Sequence, residues 1–270
     1  MSEPSRSGCF TQLLILLAAI FGGYMAASSI PIAPTQITTT VVIAPIGTFT
    51  ADELNQAETV IQKRLKGLGL LTATAAVSGN TSISLGLPQV DNLDDVLKTL
   101  TARGLLEFVD FSDVPDIGAW EGRDILTTGQ DDHPMSDAAV KNPVTNNPFE
   151  TVLTSDAVIS ASPSFNAQFD NQGQVNIAFS DEAAKVLGDY THTHLGKALA
   201  IVLDGKVLSV PIIQAEISTS AVITGNLTVP DSRRLAVQLA GGALPFEMQV
   251  KLIRGDFGSS FSTATPTTQP

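Results

Sequence analysis

The sequence of 270 residues is poor in several features on which function often depends. It has one cysteine, Cys9, which excludes an intramolecular disulfide and any site built from several cysteines. Basic residues are also scarce, since 15 Lys and Arg stand against 27 Asp and Glu for a net charge of −12. A surface of this sign repels phosphate, so the composition argues against nucleic acids and anionic lipid headgroups as partners.

Catalytic motifs are missing as well: no G-x-S-x-G elbow, no G-x-x-x-x-G-K phosphate loop and no H-E-x-x-H occur. His192 and His194 fall on a predicted helix, where residues two apart point in different directions and cannot share a metal. His133 follows Asp131 and Asp132 in an acidic loop, which leaves a hydrolase or divalent-metal site open beside the plainer interpretation of a solvated turn. We therefore predict no enzyme, no bound metal and no cofactor.

One long apolar run lies near the start of the chain. Residues 13–30 are uncharged over 18 positions, and a helix of that length spans roughly 27 Å, close to the thickness of a bilayer core. Arg6 and the amino terminus precede the run, so the positive-inside rule puts residues 1–12 in the cytoplasm. We predict a single-pass signal anchor in the plasma membrane with the bulk of the chain extracytoplasmic. A cleavage site at Ala26-Ala27-Ser28 would instead make the run a signal peptide.

Residues 36–110 alternate between strand and helix patterns. A β-branched stretch at 36–43 precedes Thr50-Ala51-Asp52-Glu53, a capping box that begins a helix with apolar residues every three or four positions. Two short strands then flank a turn, a second helix follows, and residues 105–111 form a last strand. The order βαββαβ predicts a ferredoxin-like base in an α+β fold.

Residues 111–150 change in composition, with eight acidic and two basic residues and four prolines. This predicts an acidic, proline-containing linker or insert at the surface.

Regular patterns return over residues 151–244. Ser180 caps one predicted helix, Thr228 opens another, and Asp204-Gly205 is a tight-turn signal between two strands. Residues 245–254 alternate like a strand. Residues 255–270 are rich in Ser, Thr and Pro, and we predict a disordered tail there.

Three blocks in this half resemble SecD, a membrane subunit of bacterial protein export. They are Asp204-Gly205-Lys206 with the hydrophobic stretch to Pro211, Ile223-Thr224-Gly225-Asn226-Leu227-Thr228, and Gly241-Gly242-Ala243-Leu244-Pro245. Residues 60–69 and 88–91 are similar to the base of the same family's first extracytoplasmic domain. The resemblance implies an α+β head subdomain at 151–244, inserted into the base, with residues 245–254 returning to the base as an added strand. It also implies structural roles for the motif residues Asp204, Gly205, Pro211, Gly225, Gly241, Gly242 and Pro245.

In that family the domain contacts the exported polypeptide, and proton coupling belongs to later transmembrane helices that this sequence does not contain. The resemblance thus implies a membrane-anchored module that binds exported or unfolded polypeptide, with membrane subunits of the Sec translocon as candidate partners. Such a receptor needs an apolar groove or an open sheet edge. Phe165 and Phe169 are candidate contacts for the polypeptide. The alternative is an extracytoplasmic ligand-binding or envelope-interaction protein that keeps the fold without a role in export.

Overall fold

A computed structural model of the protein describes residues 38–130, 138–166, 172–217, 219–225 and 227–255. The predicted membrane span at 13–30, the loop residues 131–133 and residues 256–270 of the predicted tail lie outside the described residues. None of the helices within these ranges combines the length and the hydropathy that a bilayer crossing requires. The described chain is a mixed α+β protein with three sheets and four α-helices.

The base sheet is antiparallel and has four strands. They are β1 (Thr39–Pro45), β2 (Thr74–Ser78), β3 (Ser82–Leu87) and β11 (Met248–Gly255), in the order β11-β1-β3-β2. Helices α1 (Ala51–Gly67) and α2 (Leu93–Thr101) share one hydrophobic core with this sheet. The predicted capping box begins α1, where the Glu53 amide donates to Thr50 Oγ1 at 3.2 Å.

The middle sheet contains a strand that the sequence pattern assigns to the base. Strand β4 (Leu106–Asp110) pairs with β5 (Thr151–Thr154) and β8 (Leu199–Leu203), and β9 (Lys206–Ser209) completes the order β5-β4-β8-β9. The prediction that residues 105–111 close the base sheet is therefore wrong, because β11 occupies the outer position beside β1. The physical reason is that β4 and β8 are buried on both faces: β8 is apolar throughout, and β4 is apolar at Leu106, Phe108 and Val109 and buries Glu107 as well.

The third sheet contains β6 (Val158–Asn166), β7 (Gln172–Phe179) and β10 (Ser220–Ile223), in the order β10-β7-β6. Helices α3 (Asp181–Thr193) and α4 (Val229–Gly241) contribute to the core that this sheet shares with the middle sheet. The predicted N-caps Ser180 and Thr228 are confirmed, and each side chain accepts a backbone N–H from the first turn of its helix.

The acidic stretch at 111–150 was expected to be a surface linker, but its described part covers the second face of the middle sheet. Phe111 stacks on Phe149 with ring centroids 4.8 Å apart, and Trp120 meets both rings edge-on. All three are buried and pack against Val109 and Val202 of the sheet. Three aromatic residues spaced among acidic ones therefore build a third hydrophobic core. The overall composition of the stretch, which is acidic and rich in proline, does not reveal this core.

Candidate functional site

The candidate site is an open apolar groove of about 390 Å³. It is formed by residues 211–217 together with Leu199 of β8 and Ser220 of β10, and we call it the head groove. Leu199 and Ile213 are buried and belong to the core below, while Ile212 is 37% exposed. The head groove therefore presents an exposed apolar side chain, Ile212, directly above the buried core.

Backbone hydrogen bonds fix the wall of the head groove at both ends. At the first end, the Leu199 amide donates to the Pro211 carbonyl at 3.0 Å and the Ile213 amide donates to the Lys197 carbonyl at 2.9 Å. At the other end, the Ile217 amide donates to Oγ1 of the buried Thr191 at 2.9 Å. The segment between these anchors is thus held as a preformed wall, which lowers the entropy lost on binding.

The electrostatics of the head groove are simple. Glu216 is the one ionisable residue in its lining. His192 Nδ1 lies 3.5 Å from Glu216 Oε2, and both side chains are more than half exposed to water. An exposed pair of this kind holds little energy. The chemistry available at the groove is accordingly burial of apolar side chains, with one carboxylate at the rim.

Of the residues predicted from the sequence, Pro211 lines the head groove. Phe165 does not: it lies on β6 opposite Gly173, whereas the groove residue Ser220 lies opposite Ala178 at the other end of β7. Phe165 is nevertheless 63% exposed. Phe169 lies outside the described residues. The groove residues Ile212, Ile213 and Ile217 were missed, and the signal available for the first two was the apolar pair that directly follows Pro211.

Several motif residues meet at the junction between the base sheet and the other two sheets. Asp204 and Gly205 both have positive φ, 49° and 75°, in the turn between β8 and β9. Asp204 Oδ1 accepts the Leu105 amide at 2.8 Å, and the Asp204 amide donates to the Leu105 carbonyl at 2.9 Å. Burial raises the pKa of the Asp204 carboxyl, against the lowering effect of the Leu105 hydrogen bond and of Arg64.

Arg64 of α1 occupies the centre of this junction and is fully buried. Its guanidinium donates to five backbone carbonyls, those of Thr99, Leu100, Ala102, Arg103 and Gly242. A Cβ at Gly241 would lie 2.6 Å from Arg64 Cγ, so this motif glycine leaves the space that Arg64 fills. Burial lowers the pKa of Arg64 to about 10, which keeps it charged at neutral pH.

The remaining motif residues have backbone roles in the described structure. Gly242 has a φ of 93° at the end of α4, and Gly225 has a φ of 159°. Pro245 follows the buried Leu244, whose amide donates to the Arg103 carbonyl at 2.8 Å on the return to the base. Apart from Pro211 at the groove, the motif residues therefore stabilise tight turns and the segments where the chain passes between the base and the rest of the domain.

A second concavity, of about 510 Å³, lies where the acidic stretch meets β4 and β5. Its lining includes the carboxylates Asp110, Asp113 and Glu150 and is mostly polar. In the described ranges no group of three or more His, Cys, Asp or Glu side chains has the geometry of a metal site. The residues of the hydrolase alternative, Asp131, Asp132 and His133, fall outside those ranges.

Comparison with known proteins shows that the chain is similar to SecD and SecDF proteins. Residues 131–246 match the family described as SecDF, P1 head subdomain. The chain is 29% identical over 205 residues to the protein translocase subunit SecD of Dictyoglomus turgidum, which covers 75% of this chain and 41% of that protein. It is 32% identical over 222 residues to the protein translocase subunit SecDF of Thermus thermophilus, which covers 76% of this chain and 28% of that protein. The chain therefore spans less than half the length of these relatives.

Solved structures of SecDF proteins are also similar to this chain. A structure described as SecDF, a membrane component that enhances protein export, is similar with a TM-score of 0.62 and 27% identity over 80% of this chain and 99% of that one. The crystal structure of SecDF in its Super-membrane-facing form gives a TM-score of 0.64 and 26% identity over 91% of this chain and 34% of that one.

The fold and these matches first define a class, the α+β domains of SecD and SecDF proteins. Within that class, the body of this chain is a SecD-like P1 domain, as the three sequence blocks predicted. The class is non-enzymatic, which confirms the prediction that this chain is not an enzyme.

Proposed function

We propose that this domain binds segments of exported, unfolded polypeptide in the head groove and so assists protein export. The observation that carries the proposal is the preformed groove itself, where the exposed Ile212 lies beside the core residues Leu199 and Ile213 in a protein with a net charge of −12. Unfolded chains offer apolar side chains that folded proteins hide, and an open apolar groove selects for them. The translocase names of the relatives support the same role.

We further infer how the chain is organised. Residues 36–105 with 245–254 form a base, and residues 151–244 form a head inserted into it. Strand β4 and the stretch 111–150 lie between these parts in the chain and pack with the middle sheet of the head. The antiparallel order β11-β1-β3-β2 with α1 and α2 supports a ferredoxin-like base, in which β11 stands where β4 was expected. Residues 13–30 tether this body to the plasma membrane from the extracytoplasmic side, where membrane subunits of the Sec translocon are within reach. Extraction of membranes at alkaline pH, and protease digestion of intact cells, test the tether and its orientation.

Site-specific photocrosslinking tests the binding site. A photoreactive residue replaces Ile212 in the full chain, and a radiolabelled secreted protein is arrested during export from intact cells. The matched control places the same residue at Leu71, which is 79% exposed and lies beyond α1 in the base. We expect crosslinks to the arrested polypeptide at Ile212 and a signal at least about tenfold weaker at Leu71. Equal or absent crosslinking at both positions would contradict the proposed function.

A further inference from the structure

We propose that the free edge of β6 binds an extended, uncharged stretch of polypeptide as an added strand. This inference rests on the proposed function and concerns a second contact for the same client. Strand β6 pairs with β7 on one side, and in the described part of the chain no strand pairs with its other side. Every second residue of such an edge strand directs its N–H and C=O groups outward, where an extended chain can satisfy them.

The exposure of individual side chains indicates that this edge is accessible. Pro163 and Phe165 lie opposite Val175 and Gly173 in the register, and therefore share the face of the sheet that is packed on α4. Val175 and Gly173 are buried, yet Pro163 is exposed and Phe165 is 63% exposed. Helix α4 thus packs along β6 as well as β7, while the side chains of Pro163 and Phe165 on β6 remain exposed to the solvent.

The third sheet is also free of charge. Residues 158–166, 172–179 and 220–223 include no Asp, Glu, Lys, Arg or His, although the whole chain has 42 Asp, Glu, Lys and Arg residues, the sum of 27 and 15. Edges that must not pair usually carry charged side chains. Strand β6 has two features that restrict pairing, since Pro163 lacks an N–H and the register shifts between Val158 and Ser160, but it has no charged side chain. When an uncharged segment binds this edge, no charged group has to give up its water. An acidic segment would be repelled by the net charge of −12.

The spacing of two side chains sets the length of the contact. Ile159 is 68% exposed and Phe165 is 63% exposed, and they lie near the two ends of β6. Six residues of extended chain separate them by roughly 20 Å. The client segment is therefore about six residues long, with apolar side chains near its ends. The sheet also links the two contacts, because Ser220 of the head groove belongs to β10 at the opposite edge.

Hydrogen exchange on the full chain tests the added strand. The probe is a twelve-residue peptide of alternating threonine and valine, acetylated and amidated at its ends. The control peptide has the same side chains but is N-methylated at every residue, so that it cannot donate backbone hydrogen bonds. We expect the first peptide to slow exchange at amides of β6 by at least about tenfold, and the methylated peptide to leave them unchanged.

A pair of variants makes the test specific for the edge. Phe165→Lys places a charge at the end of β6, and Leu71→Lys places one at an exposed position of the base. We expect Phe165→Lys to raise the Kd for the peptide by at least about tenfold and Leu71→Lys to change it less than twofold, while both variants keep the thermal unfolding midpoint of the parent.

The remaining outcomes separate the two proposals. Protection confined to residues 211–217 would overturn strand addition at β6 and leave the head groove as the binding site. Protection of β6 without peptide that grows with protein concentration would overturn it too, because the occupant would then be a second copy of the chain. Failure of the peptide to protect β6 would overturn strand addition by itself, and combined with absent crosslinking at Ile212 it would remove both proposals.

Discussion

The guanidinium of Arg64 donates a hydrogen bond to the carbonyl of Gly242 at 2.8 Å, across 178 positions of sequence. Gly242 ends α4, where the chain leaves the third sheet for the base. The same guanidinium donates to the Arg103 carbonyl at 2.9 Å, where the chain leaves the base for the middle sheet. One buried side chain therefore holds both crossings between the base sheet and the rest of the domain.

This relationship predicts that Arg64→Lys is strongly destabilising. Lysine keeps the charge but loses the planar fork that reaches several carbonyls at once, and carbonyls left buried without a donor cost free energy. We expect the free energy of unfolding in urea to fall by about 3 kcal/mol. The exposed Arg233→Lys is the matched control and should change it by less than about 0.5 kcal/mol. A loss at Arg64 as small as that of the control would show that the crossings do not depend on it.

A second prediction concerns Asp204, which combines a positive φ with a buried hydrogen bond to the Leu105 amide. Alanine removes the acceptor and strains the left-handed backbone, so we expect Asp204→Ala to lower the free energy of unfolding by about 2 kcal/mol. Asparagine keeps an acceptor oxygen and tolerates this conformation. Asp204→Asn should therefore retain most of the stability in the same urea titration, and equal losses for both variants would contradict the assignment.

A third prediction concerns pH. Glu107 of β4 is fully buried, and its Oε1 accepts hydrogen bonds from Thr127 Oγ1 at 2.6 Å and Thr151 Oγ1 at 2.8 Å. Burial raises the pKa of Glu107, opposed by the hydrogen bonds of Thr127, Thr151 and Gln130 and by the charge of Arg103. In the described residues, Glu107 Oε2 and Gln130 Oε1 are buried without a hydrogen-bond donor.

The sign follows from the raised pKa. The protonated carboxyl favours the folded state, so this contribution is complete below the pKa of the unfolded chain, roughly 4.3, and is lost as the pH rises through the higher folded pKa. Glu107→Gln is isosteric and neutral at every pH. We expect its unfolding free energy relative to the parent to increase as the pH rises above roughly 4.3 and to level off once the pH exceeds the raised pKa of folded Glu107. Glu121→Gln, at an exposed position, is the control, and a flat difference for Glu107→Gln would refute a raised pKa.

A fourth prediction compares two phenylalanines. Phe149 is fully buried against Phe111 and Trp120, whereas Phe165 is 63% exposed on β6. Phe149→Ala should lower the free energy of unfolding by about 3–5 kcal/mol, and Phe165→Ala by less than about 0.5 kcal/mol. A small effect at Phe149 would mean that the acidic stretch is the surface linker that its composition suggested.

Local features of the fold could be predicted from the sequence. The caps at Thr50, Ser180 and Thr228, and the turn at Asp204-Gly205, are made by residues within a few positions of one another. Their hydrogen bonds and positive φ angles depend on which residue types stand a few positions apart. That information can be taken directly from a single sequence. The resemblance to SecD was visible for the same reason, because its blocks are short and contiguous.

What only the tertiary structure decided involves residues that are far apart in the chain. The periodicity of residues 105–111 identifies a strand but not its neighbours, and pairing with β8 puts β4 in the middle sheet. The five carbonyls around Arg64 come from two distant crossings. The head groove likewise needs Leu199 beneath residues 211–217. Sequence fixes what each segment can become, whereas packing selects which segments meet, since burial of apolar surface depends on area and not on chain order.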